Sequence, residues 1–334
     1  MLAAPFDDFH ALLTTLPTID EFFVTLAKKR QIKLKKSRGK LGKLEEIAIW
    51  YAGWRAEEKP VINKPFVAIF SGNHGVTDQN ITPLPRSVTQ QRVDNFSVGG
   101  GVINQICASY DLGLKVFDLA LEYPTMDITK GAAMDERTAA ATMAFGMEAI
   151  AGGTDLLCIG EMGIGNTTIA SALCFALFGG EAEEWVESDT SSMSDFYQNK
   201  IKVVKQAISL HKDFFNDPFD IMRYLGGREI AAMVGAILAA RMERIPVILD
   251  GFVATAAAAI LYKIYPMALD HTIISHISKG TAHSKLLEKI EKRPLLDLEI
   301  DLGEGAGAAI AAGVVKASVL VHAQTTLLEE KNGI

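Results

Sequence analysis

Residues 1 to about 60 set apolar positions at helical spacing among charged ones, the pattern of amphipathic helices. The texture then changes. Pro65 to Ser71 is a short, almost wholly apolar run that stops at Gly72, and similar runs follow at Leu114–Leu119, Leu156–Ile159, Val247–Leu249 and Ile273–Ser275. Such runs, lacking polar alternation, predict strands buried on both faces, as in a parallel sheet. Helical periodicity fills the intervals, over about 88–110, 136–151, 166–179, 197–214, 227–242 and 252–264. Strand alternating with helix requires crossover connections, so the predicted class is α/β, with a mainly parallel sheet flanked by helices. The tail, about 310 to 330, is again helical and rich in Ala and Val. A small helical domain built from residues 1–60 plus 310–334 is therefore expected beside a large α/β domain over 61–309. Thr18 to Glu21 matches a capping box. The polar, acidic stretch Glu181 to Asp195 has no apolar period and is expected to be a long loop, of the kind that often carries function.

Composition narrows the partners. The chain has 334 residues, 49% of them hydrophobic, enough for a substantial core. A formal net charge of -7 argues against a nucleic-acid partner, which would call for a basic face. The basic run from Lys28 to Lys43 reads as a solvated helix end or loop. Cys107, Cys158 and Cys174 lie far apart in apolar surroundings, with neither metal nor disulfide spacing. Buried, reduced thiols in a cytoplasmic protein are expected. No window of about 20 residues is uninterruptedly apolar; Val247 to Tyr265 comes nearest and is broken by Asp250 and Gly251, so no membrane association is expected. His276 and His283 have no metal spacing with a nearby acid or cysteine. No metal site and no cofactor are expected.

In open α/β sheets, ligands bind beyond the carboxyl ends of the strands. The residues there are Gly72-Asn73-His74-Gly75, Gly160 to Thr168, Asp250-Gly251-Phe252, Ser275-His276-Ile277-Ser278, and Glu304 after the strand-like run Leu295 to Leu302. Gly163 and Gly165 offer backbone N–H groups where Asn166-Thr167-Thr168 opens a helix, a setting that stabilises an anion such as phosphate. The same residues also make an ordinary strand-to-helix turn capped by Asn166 or Thr167, and spacing does not separate the two. The segment is neither a Walker loop nor a G-x-G-x-x-G fingerprint. His74, with no acid beside it in sequence, reads as backbone support. Asp250 binds ligand or caps the helix starting at Phe252. Lys200 reaches a phosphate or is solvated. Glu304, set between glycines, is a candidate general base, although an acid at a helix start commonly serves only the dipole.

In order along the chain, Asn73-His74-Gly75-Val76, Pro85 to Gln91, Gly160 to Thr168, Asp217-Pro218, Leu225-Gly226-Gly227, Ile245 to Phe252, Ser275-His276 and Leu302-Gly303-Glu304-Gly305 resemble the nicotinate-nucleotide:dimethylbenzimidazole phosphoribosyltransferase family over nearly the whole length. The resemblance implies a Rossmann-like sheet and a dimer. It also implies a reaction in which an aromatic nitrogen displaces nicotinate from nicotinate mononucleotide, giving an α-ribotide for cobamide lower ligands. Glu304 then matches the general base and Glu161 a second acid beside the ribose and nicotinate. Lys200, with the amides of Gly163 and Gly165, matches the phosphate site. Asn166, Thr167 and Ser278 fall among the substrate contacts, and Asp250 and Gly251 near the nicotinate. Met162, Leu302 and the stretch Leu84 to Arg92 fall near the incoming base.

The departures lie around the substrate. Val186 to Ser192 replaces a glycine-rich loop and brings in Glu187 and Asp189. Asn73, Arg228 and Lys279-Gly280-Thr281-Ala282 replace an aspartate, a phenylalanine and an acidic-then-glycine stretch. Arg92 suits a ligand bearing a hydroxyl or phenolate, or else forms a surface salt bridge, the preferred reading. Two alternatives stand beside the homodimeric enzyme: a partner subunit of a heterodimeric phenol/azole phosphoribosyltransferase, and a non-catalytic nucleotide- or azole-binding protein.

Overall fold

The computed structural model describes residues 4–37, 39–187 and 194–328. The elements, in chain order, are α1 (Asp7–Leu13), α2 (Glu21–Lys33), α3 (Lys43–Arg55), β1 (Pro65–Ser71), α4 (Ser87–Ser97), α5 (Val102–Tyr110), β2 (Gly113–Asp118), α6 (Glu136–Met147), β3 (Leu156–Met162), α7 (Asn166–Phe178) and α8 (Asp195–His211). They continue with α9 (Pro218–Leu225), α10 (Arg228–Met242), β4 (Val247–Leu249), α11 (Gly251–Ile264), β5 (Thr272–His276), α12 (Thr281–Lys289), β6 (Pro294–Leu296) and α13 (Ala306–Gln324). The strands form one sheet in the order β2-β1-β3-β4-β5-β6, and every pairing is parallel.

The sheet is covered on both faces, and the pleat shows how. Ala68, Phe70, Leu157 and Ile159 point into a core shared with α6, α7, α10 and α11, while Val67, Ile69, Leu156 and Cys158 point the other way, into a core with α3, α5 and α13. Each strand therefore needs apolar residues at consecutive positions, which is why the runs lack alternation. α6 and α10 cross backbone to backbone. A Cβ at Gly146 would lie 1.9 Å from the carbonyl oxygen of Ala232, and one at Gly235 would lie 1.9 Å from that of Met143.

Several expectations change. The helix over 88–110 is two helices, because Gly99 takes φ +78° and the run Gly99–Gly101 breaks the ladder between α4 and α5. The strand-like run Leu295 to Leu302 pairs only as far as Leu296. Asp297, Glu299 and Asp301 follow at the sheet edge, and exposed acids have no apolar face to bury there. The cap of α2 is Asp20, whose carboxylate accepts from the N–H groups of Phe22 and Phe23, rather than a box begun by Thr18. In the basic run, Arg30 is buried and donates to the carbonyls of His322 and Ala323, tying α2 to the end of α13. The expected loop over Glu181 to Asp195 begins as a short turn that buries Trp185; its residues 188–193 lie outside the described residues, and Ser194 caps α8.

α13, with 19 residues and a mean hydropathy of 1.6 over 18 of them, has the length and composition of a bilayer-crossing helix, although Val247 to Tyr265 was expected to come nearest. It packs against α3, α5 and the sheet, so its apolar surface belongs to the core. We propose the division into 1–60 plus 310–334 and 61–309 on the ground that α3 packs against both α2 and α13. α1 makes a different contact: Phe6 and Phe9 meet Phe219 in the core on the opposite face.

Candidate active site

Two turns at the carboxyl edge of the sheet face each other. The first joins β3 to α7, with Gly165 at φ +91°. The second precedes α13, where Gly303, Glu304 and Gly305 take φ of +70°, +60° and +77° in succession. A left-handed glycine costs little, but a left-handed glutamate is disfavoured by roughly 1–2 kcal/mol. Such strain persists only where the surroundings hold it, and here Asp250 does so. Its Oδ2 accepts from the N–H of Gly305 at 2.9 Å and its Oδ1 from the N–H of Ala308 at 2.8 Å. Asp250 thus caps α13, whereas its position suggested a cap for the helix starting at Phe252; it makes no side-chain cap bond to α11. The turns also touch through Gly160, where a Cβ would lie 2.5 Å from the Cα and N of Gly305. Only glycine in β3 lets the second turn come this close.

Between the turns lies a cleft of about 190 Å³. Among the residues expected at a site, Glu304, Glu161, Gly163, Asn166, Thr167, Asp250, Gly251, Ser278, Met162, Leu302 and Arg92 line it. Gly165 shapes the turn from behind, with Thr77 and Ile81 nearest to where its side chain would project. Lys200 is buried on α8 and Leu84 is exposed before α4; neither is among the cleft-lining residues. Of the atypical loop, Glu187 lines the cleft, while Asp189 lies outside the described residues.

The cleft concentrates acids. Glu161 is buried and accepts a hydrogen bond from the Asn166 amide. Burial, followed by the charge of Glu229, pushes its carboxyl up to about 8, so it holds its proton at pH 7. Burial pushes Asp250 up to about 7 against the opposing backbone N–H bonds of Ala308, Gly305 and Gly307. The stability consequence has a definite sign. Below about 4.5, the ordinary value for Glu161, folded and unfolded chains are both protonated there; between 4.5 and 8 only the unfolded chain ionises, so stability is lost as pH rises. Glu161→Gln is neutral throughout. Its melting temperature relative to wild type is expected to rise across that window, by about 5 °C or more at pH 8, and to level off above. Thermal melts from pH 4 to 9 check this, and a pH-independent difference would refute it.

One residue beside the site, Glu229, escaped the sequence reading. His74 has an acid partner after all: its Nε2 lies 2.9 Å from Glu229 Oε1, both side chains wholly buried, although the approach is not aligned as a hydrogen bond. Glycines make room for the pair. A Cβ at Gly72 would lie 2.2 Å from Glu229 Oε2, and one at Gly227 would lie 2.4 Å from His74 Cε1. The paired glycines before Glu229, at a helix start facing the carboxyl edge, were the available signal. His276 also lines the cleft, its Nδ1 at 2.8 Å from Ser275 Oγ, with burial lowering its basicity. Arg92 forms its salt bridge with Glu304, inside the cleft, and not with a surface acid. Arg228 lies elsewhere, bonded to the Tyr123 carbonyl.

Comparison with known proteins adds the following. A family model described as phosphoribosyltransferase matches residues 16–332. The nicotinate-nucleotide–dimethylbenzimidazole phosphoribosyltransferase of Brucella canis is 60% identical over 326 residues, covering 98% of this chain and 96% of its own, and that of Brucella suis matches equally. The crystal structure of nicotinate-nucleotide-dimethylbenzimidazole phosphoribosyltransferase from Thermus thermophilus superposes with a TM-score of 0.83 at 32% identity, covering 91% of this chain and 96% of that one. A crystal structure of CobT from the same organism gives 0.82 at 33%, covering 90% and 96%.

Proposed function

The chain belongs to the nicotinate-nucleotide–dimethylbenzimidazole phosphoribosyltransferase family, and from that membership we propose how its cleft works. The substrates are nicotinate mononucleotide and an aromatic base of the benzimidazole type. A ring nitrogen of the base attacks the anomeric carbon with its lone pair. The bond from that carbon to the pyridinium nitrogen breaks, its electrons leave with nicotinate, and the configuration inverts to the α-ribotide. The attacking azole becomes cationic, and Glu304 takes the proton from its second nitrogen. Glu161, protonated at neutral pH, donates a hydrogen bond toward the ribose or the nicotinate carboxylate; a charged acid there would repel that carboxylate. The amides around Gly163, just before α7, bind the 5′-phosphate, and Lys200 is the cation assigned to it by family resemblance.

The observation that carries this reading is Glu304, kept in a left-handed turn against one wall of a cleft whose other wall is Glu161 and the Gly163–Asn166 turn. The reading includes a dimer of identical or homologous subunits and a cytoplasmic location, the latter supported by three buried, free cysteines. The test is direct. The purified chain, incubated with nicotinate mononucleotide and dimethylbenzimidazole, is expected to release nicotinate and form one equivalent of α-ribotide, measured by chromatography. No release, either alone or with a co-purified homologue, would sink the assignment.

A further inference from the structure

Arg92 projects from α4 to the mouth of the cleft, where its guanidinium contacts Glu304. The two ends of this pair differ: the Arg92 side chain is 40% exposed and that of Glu304 is 5% exposed. Leu302, itself partly exposed, lies beside them, and Met162 supplies a buried apolar wall. An aromatic ring entering between these residues meets the cation and the carboxylate together.

The chemistry then makes a demand on Arg92. A guanidinium does not give up its proton, so Arg92 serves neither as acid nor as base. Once a bound base directs its N–H at Glu304, Arg92 shares its acceptor with the base, and when Glu304 then takes the proton Arg92 loses its counter-charge. A cation left there without an acceptor is disfavoured, and a charge-assisted hydrogen bond restores the balance. A ring bearing only methyl groups offers no acceptor. A ring bearing a hydroxyl or carbonyl oxygen does.

Taking the phosphoribosyl transfer above as its basis, we propose that Arg92 sets the specificity of this enzyme toward aromatic bases carrying an oxygen acceptor on the ring distal to the attacking nitrogen. Arg92 rests on Glu304 and turns to that oxygen as the base binds. The three methylenes of its side chain and its partial exposure give it the freedom to turn.

The experiment is a competition. Equal concentrations of 5-hydroxybenzimidazole and 5,6-dimethylbenzimidazole are offered with nicotinate mononucleotide, and the two ribotides are quantified by mass spectrometry. Wild type is expected to favour the hydroxylated base by about tenfold. Arg92→Met is expected to bring the ratio to parity or below, chiefly through a higher KM for the hydroxylated base, and Arg92→Lys to retain part of the preference. A ratio unchanged by Arg92→Met, or a wild type that prefers the dimethylated base, overturns the proposal. If neither base yields ribotide, it is the reaction assignment that has failed. Calorimetric affinities of the two bases for wild type and Arg92→Met then decide the role of Arg92 by the same ratio.

Discussion

Glu304→Gln is expected to lower kcat by about 10² to 10³ while leaving KM for nicotinate mononucleotide near its wild-type value. Glutamine keeps the size of the side chain and its place between Gly303 and Gly305, so the cleft keeps its shape. It loses a group able to accept a full proton as the attacking azole becomes cationic, and with it the counter-charge of Arg92. The deficit should narrow for an azole acidic enough to arrive already deprotonated, since such a base needs no acceptor. Steady-state kinetics across a series of azoles of graded N–H acidity reads both effects. A kcat within a few-fold of wild type would remove Glu304 from the chemistry.

Asp250→Ala is expected to reduce both stability and turnover. Its carboxylate accepts from the backbone N–H groups of Gly305 and Ala308, with that of Gly307 beside them. Losing them leaves buried N–H groups at the start of α13 without partners, for a cost of about 3 kcal/mol. The turn also loses the contact that opposes its left-handed strain, so Glu304 drifts from its position, and kcat falls by about 10². Asp250→Asn should lie between, because its amide oxygen still accepts from one of the two N–H groups. Urea unfolding together with kcat tests the pair of effects. A variant with normal stability and a raised KM for the nucleotide would instead place Asp250 in contact with nicotinate, the role that family resemblance suggested.

Val247–Leu249 and Pro65–Ser71 are strands with the bounds that their apolar runs suggest, because burial on both faces leaves a one-dimensional mark. β6 does not follow this rule. It is an edge strand with one neighbour, and charge in the following residues ends it earlier than the run of Leu and Ile implied. The convergence of the Gly160–Thr168 and Gly303–Gly305 segments was legible, since each was read at the end of a strand-like run on the same edge of the sheet, although Gly160 to Met162 belong to β3 itself and β6 ends well before Gly303. The partners of individual side chains were not. Asp250 caps a helix that starts more than fifty residues later, and Glu229 meets His74 although β2 and β3 lie between them in the chain. Both contacts depend on which strands are neighbours, which no local pattern encodes. Arg92 shows the same limit: its residue type pointed to an ion pair, but only the packing of α4 over the cleft identifies Glu304 as the partner.

The placement of α13 bears on how the molecule is made. This helix closes the α3/α5 side of the sheet, yet it is translated after every element that it covers. On the ribosome, the α6/α7/α10/α11 layer can therefore settle first, while Ile69, Cys158 and Ile248 have only α3 and α5 to pack against on the opposite side. The nascent chain passes through a half-clad intermediate with apolar sheet exposed, the kind of species prone to aggregate and to engage chaperones before synthesis ends.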